Sequence, residues 1–290
     1  MRSAYTIGIL LQQAARYLLQ HRVDGPRLSA ELILAHALGI SKLDVLLSQD
    51  KVLLQDEMLQ VWRMTRQRAR GRPLAYILGA KEFYGLDFLV SKDVLIPRPE
   101  TELIIDLAKG IISSAQGFVF ADVGTGSGAL GISLLSIYPR CQGLLLDISP
   151  AALGVARRNA CKHQVLSRCQ LAVDDLGAAL RPGCLDLVLA NPPYLSSTDM
   201  QTLSREIREF EPELALWGGP QGQEKALGLL QNICPVLKPG GWCLLEAAPK
   251  QIANLVQAKD LVWGQGLRME VHKDLASKDR VLALHKVCSK

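Results

Sequence analysis

Ala121-Asp122-Val123-Gly124-Thr125-Gly126-Ser127-Gly128 is a short apolar run that breaks into alternating glycines and then re-enters apolar sequence at Ala129-Leu130-Gly131-Ile132. The stretch reads as a strand turning tightly into a helix. Glycine tolerates φ > 0 and lets backbone approach a ligand with no Cβ in the way. The helix that follows starts with unpaired N–H groups. Dinucleotide enzymes use this location for pyrophosphate, with the spacing G-x-G-x-x-G. Here the spacing is G-x-G-x-G, and Asp122 precedes it. A carboxylate there repels phosphate but accepts hydrogen bonds, directly or through water, around a cationic methionine group. The loop therefore favours S-adenosylmethionine over a nicotinamide cofactor.

Moving outward, the next strand candidate (143–146) ends at Asp147, nineteen residues after Gly128. An acid at the end of a second strand binds ribose hydroxyls. Taken alone, Asp147 reads equally as a cap for a helix starting at Ser149-Pro150, but behind a glycine loop the nucleoside role is preferred. Asp175, after a third strand, is placed to receive an adenine amino group, with Leu176 against the ring. Asp174 is adjacent, so which acid points inward stays open at this level.

A fourth strand candidate (185–189) runs through Ala190 into Asn191-Pro192-Pro193-Tyr194. In open parallel sheets, ligands bind at the C-terminal ends of the strands. An amide or exocyclic amino nitrogen is a poor nucleophile because its lone pair is delocalised. Accepting hydrogen bonds from its two N–H groups localises that density and orients it. The Asn191 carboxamide oxygen and the Pro192 backbone C=O are the expected acceptors. The prolines hold φ near one value, and Tyr194 offers a ring to a flat group. Methyl transfer from a sulfonium is an in-line displacement, for which alignment supplies much of the acceleration. Asn191, Pro192 and Tyr194 are thus the catalytic candidates, and Asn191 to Tyr194 the acceptor-binding ones. No metal is called for.

The rest of the sequence divides into two grammars. Up to about residue 80, apolar residues recur at helical spacing, as in Leu10, Leu11, Ala14, Tyr17 and Leu18 after the N-cap candidate Thr6. Helices are expected to about residue 18, from Pro26 to Gly39, from Ser41 to Leu47 and from Asp56 to Arg70. Leu28, Leu32, Ile33 and Ala35, then Met58, Leu59, Trp62 and Ala69, are the core candidates. Phe83, Tyr84, Leu86, Phe88 and Val90 around Gly85 suggest a hairpin joining two domains. Strand and helix signals then alternate, which implies a parallel sheet covered on both faces. The expected fold class is α/β: a Rossmann-like S-adenosylmethionine-dependent methyltransferase with a mostly parallel sheet, preceded by a small N-terminal helical bundle and a β-hairpin linker. The boundaries are 1–80 for a substrate-recognition domain, 81–98 for the hairpin and linker, and 99–290 for the methyltransferase domain.

Composition excludes several classes. The 290 residues are 49% apolar, and the formal charge of +5 is too mild to indicate nucleic-acid binding. The seven cysteines (141, 161, 169, 184, 234, 243 and 288) never form a C-x-x-C pair, so reduced buried thiols are expected rather than disulfides or zinc. No membrane-length apolar run or signal pattern is present, so a cytoplasmic monomer is expected. Arg63, Arg66 and Arg70 share a helical face, which reads first as a solvated surface.

Together these motifs resemble the peptide-chain release factor glutamine methyltransferases. The likeness spans nearly the whole sequence: Gly71 to Gly79, Glu82-Phe83-Tyr84-Gly85, Leu95-Ile96-Pro97-Arg98-Pro99-Glu100-Thr101-Glu102, the glycine loop, Asp147-Ile148-Ser149-Pro150, Asn191 to Tyr194, Glu211-Pro212, Ala215-Leu216, Gly218-Gly219 and Asp274-Leu275-Ala276 before Asp279-Arg280-Val281. Many methyltransferases share the loop and the tetrapeptide, whereas the Pro97 to Glu102 segment with a helical N-terminal domain is far more specific. The resemblance implies N5-methylation of the glutamine in the Gly-Gly-Gln motif of class 1 release factors, with S-adenosyl-L-homocysteine as product. Gly124, Thr125, Gly126, Ser127, Gly128, Asp147, Leu176 and Asn191 would contact the cofactor, and the N-terminal domain would recognise the release factor. Two departures concern backbone geometry: Ala247-Ala248 stand where a glycine usually follows the glutamate, and Ser277 replaces a glycine. Arg98 and Glu100 read as structural. The alternatives are an amino-methyltransferase acting on adenine N6 in DNA or RNA, or one acting on a ribosomal-protein glutamine. A DNA enzyme must extrude its base and usually carries a basic, aromatic recognition region; aromatic residues are only 5% here. A non-enzymatic binding module predicts loss of Asn191 or the glycines, and neither is lost.

Overall fold

The structure, a computed structural model, describes residues 5–112, 117–258 and 266–287. It contains two compact units: Met1–Gly79 with Ser204–Phe210, and Ala80–Leu203 with Glu211–Lys290.

The first unit is a helical bundle of α1 (Ile7–Gln20), α2 (Pro26–Leu38), α3 (Lys42–Leu47), α4 (Gln55–Ala69) and α5 (Leu74–Leu78). Local chemistry sets the ends. The Thr6 hydroxyl accepts the Ile9 N–H, Pro26 opens α2, and Gly39 closes it at φ 63°. Ser41 and Asp44 cap α3 reciprocally. Ile7, Leu10, Leu11 and Leu18 of α1 pack with Ile33 and Leu34 of α2 and Val61 of α4, all at most 1% exposed. Each such residue contributes roughly 1.5–3 kcal/mol by leaving water. Leu28 and Leu59, expected in this core, are 48% and 60% exposed. The buried stripe of α4 runs through Val61, Met64, Thr65 and Arg68, at i, i+3, i+4 and i+7, and Leu59 falls outside it. The Arg68 guanidinium donates to the Glu206 carboxylate at 2.8 Å.

The second unit opens with the hairpin β1 (Ala80–Phe83) and β2 (Leu86–Leu89), turned by Tyr84 at φ 50° and Gly85 at φ 75°. Two successive positive φ values match the twist of a two-residue hairpin turn. Phe83 and Phe88 belong to the core of this unit, and Asn159 bonds both the N–H and the C=O of Leu89. The elements α6 (Glu102–Ile111), β3 (Val119–Val123), α7 (Ala129–Ile137), β4 (Gln142–Asp147), α8 (Pro150–Lys162), β5 (Cys169–Val173) and β6 (Leu185–Ala190) follow. Then come α9 (Ser197–Thr202), α10 (Arg205–Phe210, in the first unit), α11 (Glu224–Val236), β7 (Leu237–Glu246), α12 (Pro249–Gln257), β8 (Leu267–Lys273) and β9 (Asp279–Lys286).

Seven strands form one sheet in the order β5-β4-β3-β6-β7-β9-β8, all running one way except β9, which is antiparallel to both of its neighbours. Alternate strand residues bury on opposite faces. Phe120, Leu187 and Leu189 pack with α6, α7 and α8, whereas Ala121, Val188 and Ala190 pack with α11 and α12. The antiparallel edge is not evident in the sequence pattern, because β8 leaves most of its residues partly or fully exposed and so lacks an apolar run. Ser277, in the β8–β9 turn, takes φ 60°, the left-handed region where glycine is least strained. Hydrogen bonds from the Ala276 and Lys278 N–H groups to Asp274 Oδ1 hold that turn.

The order of connection reverses at β3, which has β4 on one side and β6 on the other. The crevice beyond the C-terminal ends of β3 and β6 is the ligand position of an open α/β sheet. The glycine loop leaves β3 there and Asn191 leaves β6 there. Among the described residues, no helix is long and apolar enough to cross a membrane, and the six described cysteines are free; Cys288 lies outside them.

Candidate active site

A single cavity in the second unit is lined by Asp122, Gly124, Thr125, Gly126, Ser127, Asp147, Asp174, Asp175, Leu176, Asn191 and Pro193, with Phe83, Val94, Leu95, Pro97, Arg98, Thr101 and Ile148 among its other walls. Sequence positions more than 100 residues apart thus share one space.

The loop is fastened from beneath. The Gly124 and Thr125 N–H groups donate to the Leu146 carbonyl at 2.8 and 2.9 Å, and the Gly126 N–H to Asp147 Oδ2 at 2.9 Å. These donors therefore tie β3 to β4, and what the glycines leave for a ligand is open space. Gly124 and Gly126 stand at φ 74° and 55° with nothing within 4 Å of where a Cβ would be. Asp122 is buried, and its Oδ2 accepts from the Thr125 hydroxyl at 2.6 Å and the Gly131 N–H at 2.9 Å. Burial pushes its carboxyl up to about 6 even with those bonds. Gly131 permits this, because a Cβ there would lie 3.0 Å from Asp122 Oδ2.

Asp147 accepts a second hydrogen bond, from the Ser149 N–H to Oδ1 at 2.9 Å, so two backbone donors fix its carboxylate at the cavity wall. Burial raises its pKa, and those N–H groups and that of Ile148 oppose the rise. The two neighbouring acids separate cleanly. Asp174 caps the following turn, accepting from the Gly177 N–H and, at 2.9 Å, from the Ala179 N–H. Asp175 is exposed and makes no such bond, which leaves its carboxylate to the cavity. Leu176 is held at φ 57°, a conformation costing about 1–2 kcal/mol for a residue with a Cβ. Asn232 steadies it by donating to its carbonyl at 3.1 Å.

Asn191 donates its side-chain Nδ2 to Thr101 Oγ1 at 3.1 Å, which leaves Oδ1 for another partner. The tetrapeptide behind it is clamped by backbone. Gln251 Nε2 donates to the Tyr194 carbonyl at 3.0 Å, and Gly218 approaches so closely that a Cβ would sit 2.6 Å from the Pro193 carbonyl. Gly128, Pro192 and Tyr194 are not among the lining residues. Gly128 instead starts α7 at φ 84°. Burial raises the pKa of the Tyr194 phenol, and the charges felt there include Glu246 and Arg280.

Thr101 lies in the Pro97 to Glu102 segment and Glu246 just before Ala247-Ala248, but neither position is singled out from the sequence as a neighbour of Asn191. Both are buried, at 5% and 1% exposure, and the Thr101 hydroxyl is among the influences that lower the Glu246 carboxyl pKa against burial. Arg98 both lines the cavity and holds the segment before α6: its guanidinium donates to Glu211 Oε1 at 2.6 Å, while the Ile96 N–H reaches Glu211 Oε2 at 3.3 Å. No group of three or more His, Cys, Asp or Glu among the described residues is arranged to hold a metal ion.

Comparison with known proteins gives the family. Residues 10–79 match the family model described as the PrmC N-terminal domain, and residues 105–211 the methyltransferase small domain. A release factor glutamine methyltransferase of Nitratidesulfovibrio vulgaris is 40% identical over 281 residues, covering 96% of this protein and 94% of that one. One from Moorella thermoacetica is 37% identical over 95% and 96% of the two proteins. In solved structures, a methyltransferase from Pyrococcus furiosus shares the fold at a TM-score of 0.55 and 19% identity, over 77% of this protein and 100% of that one. With relatives this similar along almost their entire lengths, the chain belongs to the release factor glutamine methyltransferase family.

Proposed function

We propose that this protein transfers a methyl group from S-adenosylmethionine to the side-chain N5 of the glutamine in the Gly-Gly-Gln motif of class 1 peptide-chain release factors. The observation that carries the reading is the meeting, in one cavity, of the glycine loop, Asp147 and an Asn191 amide whose nitrogen is already engaged. The residues present fit the cofactor. Asp147 is fixed by two N–H donors with lone pairs to spare for ribose hydroxyls, Asp175 is free to accept from an adenine amino group, and Leu176 is held in position to cover a ring. Gly124 to Ser127 leave room beside them, and Gly128 supports the loop from the helix start. When bound, the cofactor supplies an electrophilic methyl group on a sulfonium.

The protein's own contribution is positioning. Asn191 Oδ1 and the Pro192 carbonyl accept the two amide protons of the glutamine, which localises the nitrogen lone pair. Pro193 walls the cavity beside them, and Tyr194 holds the end of the turn through its Gln251-bound carbonyl. No base at the nitrogen is needed before transfer, because the proton leaves afterwards to water. Alignment of this kind supplies several kcal/mol of barrier lowering. The helical first unit is assigned to release-factor recognition, and the enzyme is taken as a cytoplasmic monomer without stable nucleic-acid binding. The test offers tritiated methyl donor to the enzyme with, separately, a purified class 1 release factor, ribosomal proteins and nucleic acid. Label in the release factor alone is expected; label in nucleic acid or only in a ribosomal protein overturns the substrate assignment.

A further inference from the structure

We propose that Thr101 and Glu246 are positioning residues for methyl transfer: the Glu246 carboxylate, acting through the Thr101 hydroxyl, holds the Asn191 amide with its oxygen toward the acceptor nitrogen. This rests on the reading that Asn191 binds a planar amide. A threonine hydroxyl has one proton and two lone-pair positions. Asn191 Nδ2 occupies one of the acceptor positions at 3.1 Å, so the hydroxyl's own proton has to go elsewhere; Glu246, which follows Leu245, the register partner of Ala190, is the buried acid assigned to receive it. An ionised carboxylate only accepts, so the relay runs one way: amide N–H to hydroxyl, hydroxyl to carboxylate. The same relay polarises the amide, which strengthens its oxygen as an acceptor.

Without the acid, the hydroxyl is free to rotate and to donate to Asn191 Oδ1 instead. The flipped amide then turns an NH2 group toward the acceptor's NH2, and two sets of donors face each other with no hydrogen bond. A threonine alone cannot choose between the two states; the acid makes the choice.

Glu246 is costly where it stands. It is 1% exposed, and its Oε2 is buried with no hydrogen-bond partner. Burial pushes its carboxyl up to about 7, with Arg280 of β9 and Arg98 drawing it down, Glu100 raising it, and the Tyr194 phenol beside it. A neutral glutamine would remove that cost but could donate as well as accept, whereas an ionised acid can only accept and so fixes the direction of the relay.

The test measures kcat on the release factor and cofactor affinity by calorimetry for Thr101→Val, Thr101→Ser, Glu246→Gln and the Thr101→Val/Glu246→Gln double variant. Thr101→Val and Glu246→Gln should each lower kcat about 10- to 100-fold, with cofactor Kd within about twofold of wild type. The double variant should be no slower than the slower single one, and Thr101→Ser should recover most of the rate. Wild-type kcat should rise through about pH 7, and that rise should vanish in Glu246→Gln. Multiplying losses, a Thr101→Ser as slow as Thr101→Val, or cofactor affinity falling in step with kcat would overturn the proposal. Should Glu246→Gln fail to fold, the Thr101 pair decides alone. Should the wild type label a different planar nitrogen, the substrate reading fails while the same ratios on that acceptor still judge the relay.

Discussion

At Asn191 a single amide has two tasks that its neighbours keep apart. One N–H of that amide goes to Thr101 at 3.1 Å, which leaves its oxygen for the proposed acceptor. The cofactor side of the cavity is held by other groups, chiefly Asp147 through the Gly126 and Ser149 N–H groups. Loss of the Asn191 amide therefore removes acceptor alignment and little else. Asn191→Ala is expected to lower kcat by about 10²-fold or more, with cofactor Kd changing by less than about threefold in calorimetry. A variant that kept near-normal turnover would contradict the amide clamp. Asp122 shows the same economy: the carboxylate whose position suggested a sulfonium environment also ties the Thr125 hydroxyl to the first turn of α7.

Among the elements, the turn after β6 depends on a neighbour that has no side chain. Gly218 packs on the Pro193 carbonyl and the Tyr194 Cα, where a Cβ would fall 2.6 and 2.8 Å away. Both contacts are backbone, so neither side yields cheaply. Gly218→Ala is expected to shift the tetrapeptide and lower kcat by about 10²-fold, since displacement by about 1 Å has that effect; steady-state kinetics on folded protein checks this, and unchanged kcat would contradict it. The elements also show what sequence makes legible. The glycine loop and the Asn191 turn are local, each written within eight residues, and the strand–helix alternation around them is a periodicity. Thr101 and Glu246 come near Asn191 only through the fold, from 90 residues before and 55 after it, so their motifs do not signal that neighbourhood. The hairpin Ala80–Leu89 reads as a joint between domains, but Phe83 and Phe88 bury in the second unit's core. Its apolar face identifies a strand without saying which core receives it. Leu176 is invisible for a further reason: nothing in a leucine announces a left-handed backbone, whereas at Ser277 the glycine usual in the family already points to one.

For the whole molecule, the buried acids of the second unit set a pH signature. Asp122 and Glu246 both titrate above their ordinary values of 3.8 and 4.5, at about 6 and about 7, because burial penalises the charged form. Their folded forms keep protons that the unfolded protein has released. Stability from these groups is thus fully present below about pH 4 and is lost as pH rises through about 7. Urea unfolding of wild type and Glu246→Gln between about pH 5 and 8 should show the wild type losing on the order of 3 kcal/mol relative to the variant; a flat difference would contradict the burial account. Under the proposed relay, activity runs the opposite way, since the ionised acid is the one assigned to hold Thr101. In the proposed function the helical unit recognises the release factor and the α/β unit transfers the methyl group. The central claim is that this cavity methylates a glutamine side chain in a release factor. It is tested most directly by incubating enzyme, methyl donor and a class 1 release factor and locating the modification by fragment mass spectrometry. One methyl group on the side chain of the Gly-Gly-Gln glutamine is the predicted result, and a methyl group anywhere else, or none, would contradict it.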